Sequence, residues 1–181
     1  MALPRRLIDY HVHSTESCDG RSSILEMCQK AANLGMTEIG FSEHVDFDPS
    51  DRGYGFFDYD RYTSEIAKAR KLFENRLVIR KGVEIDYQNR FEDEIKDWLR
   101  GKQFDFTIGS VHYVAGRIID HKLVTNSDLQ TLYSAYFDEV IRSMESCLFN
   151  VVGHLDYIAK HGDNIGLGQI EFDYWEGIRS P

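Results

Sequence analysis

His11-Val-His13 places two imidazoles either side of one residue at the end of a predicted strand, and in extended backbone residues i and i+2 point to the same side. Two imidazoles so placed can hold one metal ion together. Three more histidines, His44, His112 and His154, each follow a separate apolar run, and Glu84 takes the equivalent place in Gly82-Val-Glu-Ile-Asp86. Five of the seven histidines therefore fall at or just past the C-terminal end of a predicted strand. In parallel α/β folds that edge gathers ligands and catalytic groups, because its loops vary without disturbing the core. Imidazole and carboxylate donors without thiolate suit zinc, manganese or iron. The set is too large for one tetrahedral ion, which points to a multinuclear site bridged by the two oxygens of Glu84. Clustered divalent ions lower the pKa of a water and clamp phosphate oxygens during displacement, which is the chemistry of phosphoester hydrolysis.

Positioning these groups requires strands that end together. Short apolar runs alternate with amphipathic stretches, as in βα units around a parallel sheet. Strands are predicted over 6–11, 37–42, 77–85, 104–111 and 148–153. Ser23-Ile-Leu-Glu26 reads as a capping box opening a helix whose face carries Ile24, Leu25, Met27, Cys28, Ala31 and Ala32, with Gly35 as its stop. Tyr62, Ile66, Ala69 and Phe73 mark a second helix, and Phe91, Ile95, Trp98 and Leu99 a short third. Ser127-Asp-Leu-Gln130 reads as another capping box, opening a helix with Leu129, Leu132, Tyr133, Tyr136, Val140 and Met144 at helical spacing. Residues 169–178 are expected to begin a further helix. The loop 46–60, rich in Asp, Gly and aromatics, reads as a lid.

The 181-residue chain is 42% hydrophobic, enough for one domain with a real core. A net charge of −9 disfavours a long nucleic-acid partner, which needs a basic surface. Three cysteines without a CxxC pair suggest neither a disulfide framework nor a thiolate zinc site, and a cytoplasmic setting is expected. No run of apolar residues is long enough to span a membrane, so no membrane partner is expected.

The segments HVHS at 11–14, SCDG at 17–20, FSEH at 41–44, GVEID at 82–86, IGSVHY at 108–113 and VVGHLD at 151–156 follow one another as in a known family. By them the chain resembles the polymerase-and-histidinol-phosphatase (PHP) family of metal-dependent phosphoesterases, in its histidinol-phosphatase branch. The resemblance implies a single PHP domain over 1–181 with an α/β fold, a distorted (β/α)7 TIM-like barrel of which about five βα units are present. It also implies a site of two or three divalent ions, zinc, manganese or iron. Carried over position by position, His11, His13 and Glu84 hold one ion. Glu84 bridges to a second held by His112 and His154, and Asp19 with His44 holds the third. The implied reaction is hydrolysis of L-histidinol phosphate by a metal-bridging hydroxide, with a small-molecule phosphomonoester as partner.

Around this set, Arg117 is a candidate contact for the substrate phosphate, since a guanidinium forks onto two oxygens. Glu43 and Asp46 flank His44 and are candidates to orient the metal-bound imidazoles from behind, or else belong to a hydrated loop. His121 and His161 read as loop histidines without a role. The family's final Asp-x-His motif is absent, so the chain is expected to lack the C-terminal part of its domain. Were these residues the whole molecule, its first and fifth strands would be open edges, and aggregation, a homodimer or a need for the missing half would follow. Two other readings compete: a phosphoesterase of the same family acting on nucleotides or nucleic-acid ends, and a non-catalytic metal-binding fragment.

Overall fold

The computed structural model describes residues 7–161. Its elements in chain order are β1 (Ile8–Val12), α1 (Ile24–Asn33), β2 (Glu38–Val45), α2 (Tyr59–Leu72), β3 (Val78–Asp86) and α3 (Glu92–Leu99). They continue with β4 (Phe106–Ser110), β5 (Tyr113–Val114), β6 (Arg117–Ile118), α4 (His121–Thr125), α5 (Leu129–Glu145) and β7 (Val151–Val152). Five strands form one parallel sheet in the order β1-β2-β3-β4-β7, and β5 with β6 makes a separate antiparallel hairpin. Among the described residues no helix is long and apolar enough to cross a membrane.

The five predicted strands are all present, the last of them trimmed to two residues. The α/β reading holds as a mixed fold around a curled five-stranded parallel sheet. The strand candidates span that sheet and not a full barrel of seven. The capping box at Ser23 is complete, with Glu26 bonded back to the Ser23 backbone N–H at 2.8 Å. α1 stops at Gly35, where Gly35 N–H bonds Ala32 O and Met36 N–H bonds Ala31 O, a Schellman ending. The cap of α5 corrects the sequence reading by one residue: Asp128, not Ser127, accepts the Thr131 N–H. An ionised carboxylate outcompetes the neighbouring hydroxyl because it also meets the positive end of the helix dipole. The hairpin and α4 were not foreseen, being too short to show a period. The helix expected at 169–178 lies outside the described residues.

One apolar layer lies between the sheet and its helices. Ile24, Cys28 and Ala31 of α1 pack with Tyr62, Ile66 and Ala69 of α2 onto Ile39 and Phe41 of β2. Leu132, Tyr133, Tyr136 and Val140 of α5 pack on Val111 and Val114 in a second cluster. The opposite, concave face is different. A flat sheet would hold β1 and β4 about 14 Å apart, three strand spacings. Yet the rings of Tyr10 on β1 and Phe106 on β4 stack with centroids 5.3 Å apart. The strands between them make this possible by omitting side chains. A Cβ on Gly40 of β2 would stand 2.8 Å from the Tyr10 ring, and one on Gly82 of β3 would stand 2.2 Å from Phe106 Cζ. Curl and glycine are thus one feature, which draws the strand ends towards a common centre.

Two measurements check this account. Gly82→Ala forces the Phe106 ring aside and should lower stability in urea unfolding by about 1–3 kcal/mol, the usual cost of overpacking; adding Phe106→Ala should recover part of it. Helix N–H groups hold the Asp128 carboxyl below the ordinary aspartate value of 3.8. A depressed folded pKa contributes stability above that value and loses it as the pH falls. Asp128→Ala should therefore lower the melting temperature at neutral pH, with the difference closing in acid.

Candidate metal centre

Glu84 projects from the middle strand and is completely buried. In β1 a bulge between Asp9 and Val12 inserts one extra residue against β2. The bulge turns His11 inward, and the His11 N–H freed from the ladder is taken by Asp9 Oδ1 at 3.0 Å. His11 Nε2 then lies 3.0 Å from Glu84 Oε2, His13 Nε2 3.3 Å and His44 Nε2 3.4 Å. On the other oxygen, His154 Nε2 stands 3.1 Å and His112 Nε2 3.8 Å from Oε1, which also receives the Ser110 hydroxyl. Asp19 Oδ2 completes the ring of groups at 3.7 Å from His44 Nε2. His11 and His154 come from opposite edges of the sheet, yet their rings are 5.4 Å apart.

All seven expected residues thus meet at one place. Ligand atoms close enough to share an ion form two sets, His11–Glu84–His154 and His13–His44–Glu84. In these sets His11 lies with His154, and His13 with His44. Curl brings the first and last strands face to face, which is what places His11 beside His154. Glu84 belongs to both sets: the first touches both its oxygens, through His11 on Oε2 and His154 on Oε1, and the second lies against Oε2.

Burial acts to raise the Glu84 carboxyl, but the surrounding imidazoles outweigh it and hold the group well below the usual carboxylate range. Burial pushes His13 down to about 4 and lowers His44 as well. These rings are neutral at physiological pH and keep a lone pair to donate. His11 is raised through its contact with Glu84. Burial acts to lower His112, but the Asp86 carboxylate overrides it and raises the group. Glu84 Oε2 is buried without a hydrogen-bond partner although three imidazole nitrogens lie within 3.4 Å. Buried carboxylate oxygens are ordinarily paired. Lone pairs aimed at one another around an ionised carboxylate fit divalent cations between them.

These groups line a cavity of about 780 Å³. Loop 46–60 forms one wall with Asp46, Asp51 and Arg52, and Asp156, Tyr157 and Lys160 form another. Asp46 carries a carboxyl that burial, then Asp51, pushes up to about 7. Glu43 reaches the candidate ligands through the backbone beside His13 and not through an imidazole. Successive strand residues face opposite ways, and its carboxylate instead accepts the Ser14 N–H at 2.9 Å and hydroxyl at 2.7 Å, fixing the turn after His13. A Cβ on Gly20 would fall 1.7 Å from Ser14 O, so the Asp19 turn crosses that turn only because residue 20 has none.

Arg117 does not line the cavity. It is exposed on the β5–β6 hairpin, where alternation gives the cavity side to Ile118. The cations on the wall are Arg52 and Lys160, which sequence reasoning missed. The only available signal for Arg52 was its place in the loop read as a lid. His121 and His161 lie outside the cavity, with His121 Nδ1 3.3 Å from His161 O.

A buried carboxylate ringed by histidines at the C-terminal ends of parallel strands defines a candidate metal centre, and residues 9–179 match the PHP domain: the chain belongs to that family. It is 29% identical over 160 residues to histidinol-phosphatase of Lactococcus lactis subsp. lactis (strain IL1403), covering 86% of this chain and 58% of that protein. It is 28% identical over 178 residues to histidinol-phosphatase of Bacillus subtilis (strain 168), covering 84% of this chain and 66% of that one. Among solved structures, that of histidinol phosphate phosphatase from Lactococcus lactis, complexed with zinc, L-histidinol and phosphate, superposes with a TM-score of 0.74 at 29% identity. The match covers 84% of this chain and 59% of that one. A putative histidinol phosphatase from Listeria monocytogenes shares the fold, with a TM-score of 0.66 at 24% identity over 80% of this chain and 63% of that one. This chain therefore spans about three-fifths of the length of its relatives.

Elemental analysis of variants tests the centre. Glu84→Ala should lose more bound metal than any single histidine substitution, since its carboxylate serves both sets. Metal content equal to the parent would exclude the bridging role. His121→Ala should leave metal content unchanged.

Proposed function

We propose that this chain is the metal-binding part of a histidinol-phosphatase-type hydrolase, converting L-histidinol phosphate to L-histidinol and phosphate. The observation that carries the reading is the convergence of five histidines and Asp19 on Glu84, in a chain related to a protein crystallised with zinc, L-histidinol and phosphate. Residues 1–181 are read as one PHP domain.

His11, His13, Asp19, His44, Glu84, His112 and His154 are the proposed ligands of two or three ions of zinc, manganese or iron. Bound there, such ions would supply an acidified water for attack and charge stabilisation on the phosphoryl group. The protein side chains prepare for that chemistry. Glu84 stays ionised and opposes the cations' charge, while neutral His13 and His44 present lone pairs without first shedding a proton. Arg52 and Lys160 place positive charge on the cavity wall, where a phosphomonoester dianion would be held. Tyr157 and Ile118 give the cavity an apolar part for the rest of a small substrate.

The test is metal content of protein purified without chelator, with phosphate release measured from L-histidinol phosphate and from a nucleoside monophosphate in added manganese. Two or more ions per chain and faster release from L-histidinol phosphate are expected. Preference for the nucleotide would reassign the substrate class, and full metal content without release from either would show a metal-binding segment that is not itself a catalyst.

A further inference from the structure

Asp86 follows Glu84 by two residues on β3, so both carboxylates face the concave side, and both are buried. Asp86 Oδ1 accepts the His112 backbone N–H at 2.9 Å and lies 3.3 Å from His112 Nδ1. Its other oxygen accepts from Gln88 Nε2 at 2.9 Å. The carbonyl end of that amide, Gln88 Oε1, accepts two N–H groups of Arg90, from Nε at 3.0 Å and from a terminal nitrogen at 2.8 Å. The same terminal nitrogen pairs with the buried carboxylate of Asp48, whose remaining oxygen takes the Ser50 N–H and hydroxyl. Asp48 belongs to the loop that supplies Asp46, Asp51 and Arg52 to the cavity.

The direction of this chain of bonds is forced. A guanidinium only donates, so it holds the oxygen of the Gln88 amide, and the amide nitrogen must then donate to Asp86. Asp86, filled on one oxygen, turns the other to His112. That contact favours the proton on His112 Nδ1 and leaves the lone pair on Nε2. Nε2 is the atom that stands 3.3 Å from His154 Nε2 and 3.8 Å from Glu84.

We infer that Arg90, which lies outside the cavity, is a positioning residue: through Gln88 and Asp86 it sets the tautomer of His112, and through Asp48 it holds the 46–60 wall against the metal centre. The inference rests on the metal-site reading for its consequence and on geometry alone for the tautomer. Both are measured on the full chain. Nitrogen-15 histidine spectra of the metal-free protein at alkaline pH report the His112 tautomer, assigned with His112→Gln. Zinc titration against a chromogenic chelator reports affinity.

In the parent, a single Nδ1-protonated tautomer is expected. Arg90→Met should turn it into a mixture and weaken zinc about tenfold, the lower end of what outer partners of a metal-bound histidine contribute. Arg90→Lys, which keeps a donor for Gln88, should fall between the two. Asp48→Asn loosens only the outer end; it should shift the tautomer in the same direction by less, and serves as the test where Arg90→Met does not fold. A tautomer and zinc affinity equal to the parent's in a folded variant would overturn the inference, and so would a lower melting temperature with the tautomer unmoved. A tautomer that responds to Arg90→Met in a protein that takes up no zinc would uphold the relay and reject the metal reading.

Discussion

The carboxylate of Glu84 is ionised and has no access to water. An unpaired charge in such a place would cost several kcal/mol, more than most single contacts return. What keeps it charged is the set of imidazoles and the Ser110 hydroxyl gathered around its two oxygens. Those groups come from the ends of four strands, β1, β2, β4 and β7. The folded chain can tolerate Glu84 only if all of them arrive, and divalent cations among them would complete the compensation.

Arrival depends on the shape of the sheet. The helices bury the convex face in an ordinary apolar layer, with Phe41, Tyr62 and Ile66 at its centre. The concave face is given over to two tasks along the strands: Tyr10, Gly40, Gly82 and Phe106 set the curl lower down, and His11, His44, Glu84 and Ser110 gather at the C-terminal end. Tyr62 ties the layers together, its hydroxyl lying 2.9 Å from Phe41 O and 3.0 Å from Gly82 O.

The site also has its backbone held in place. Ser17 Oγ accepts the His44 N–H at 2.6 Å, Asp86 takes that of His112, Asp9 takes that of His11, and the Tyr136 hydroxyl donates to His154 O at 3.1 Å. Glu43 holds the turn after His13 from the opposite side of the sheet. The wall at 46–60 is fastened twice, by Asp51 to the Tyr113 hydroxyl and by Asp48 to Arg90. The loop is therefore a built wall in this structure as well as a candidate lid. Side chains held in this way reach a ligand with little left to reorganise.

Much of this was legible along the chain. Period-two alternation at His11-Val-His13, the apolar runs before His44, His112 and His154, and the capping signal at Ser23 are local features, and local backbone geometry reads them directly. Strand existence and the membership of the metal set followed. Which histidines lie side by side did not, because that depends on how far the sheet curls, and the glycines that allow the curl acquire meaning only beside Phe106 and Tyr10. Arg117 and Arg52 are indistinguishable as loop arginines; only the packing of the hairpin and of the 46–60 wall puts one in solvent and the other at the cavity. Residue type and spacing determined which groups the chain can offer to a metal ion. Tertiary structure decided which atoms meet, since groups up to 143 positions apart, His11 and His154, come into contact through the sum of many small strand rotations that no local pattern encodes.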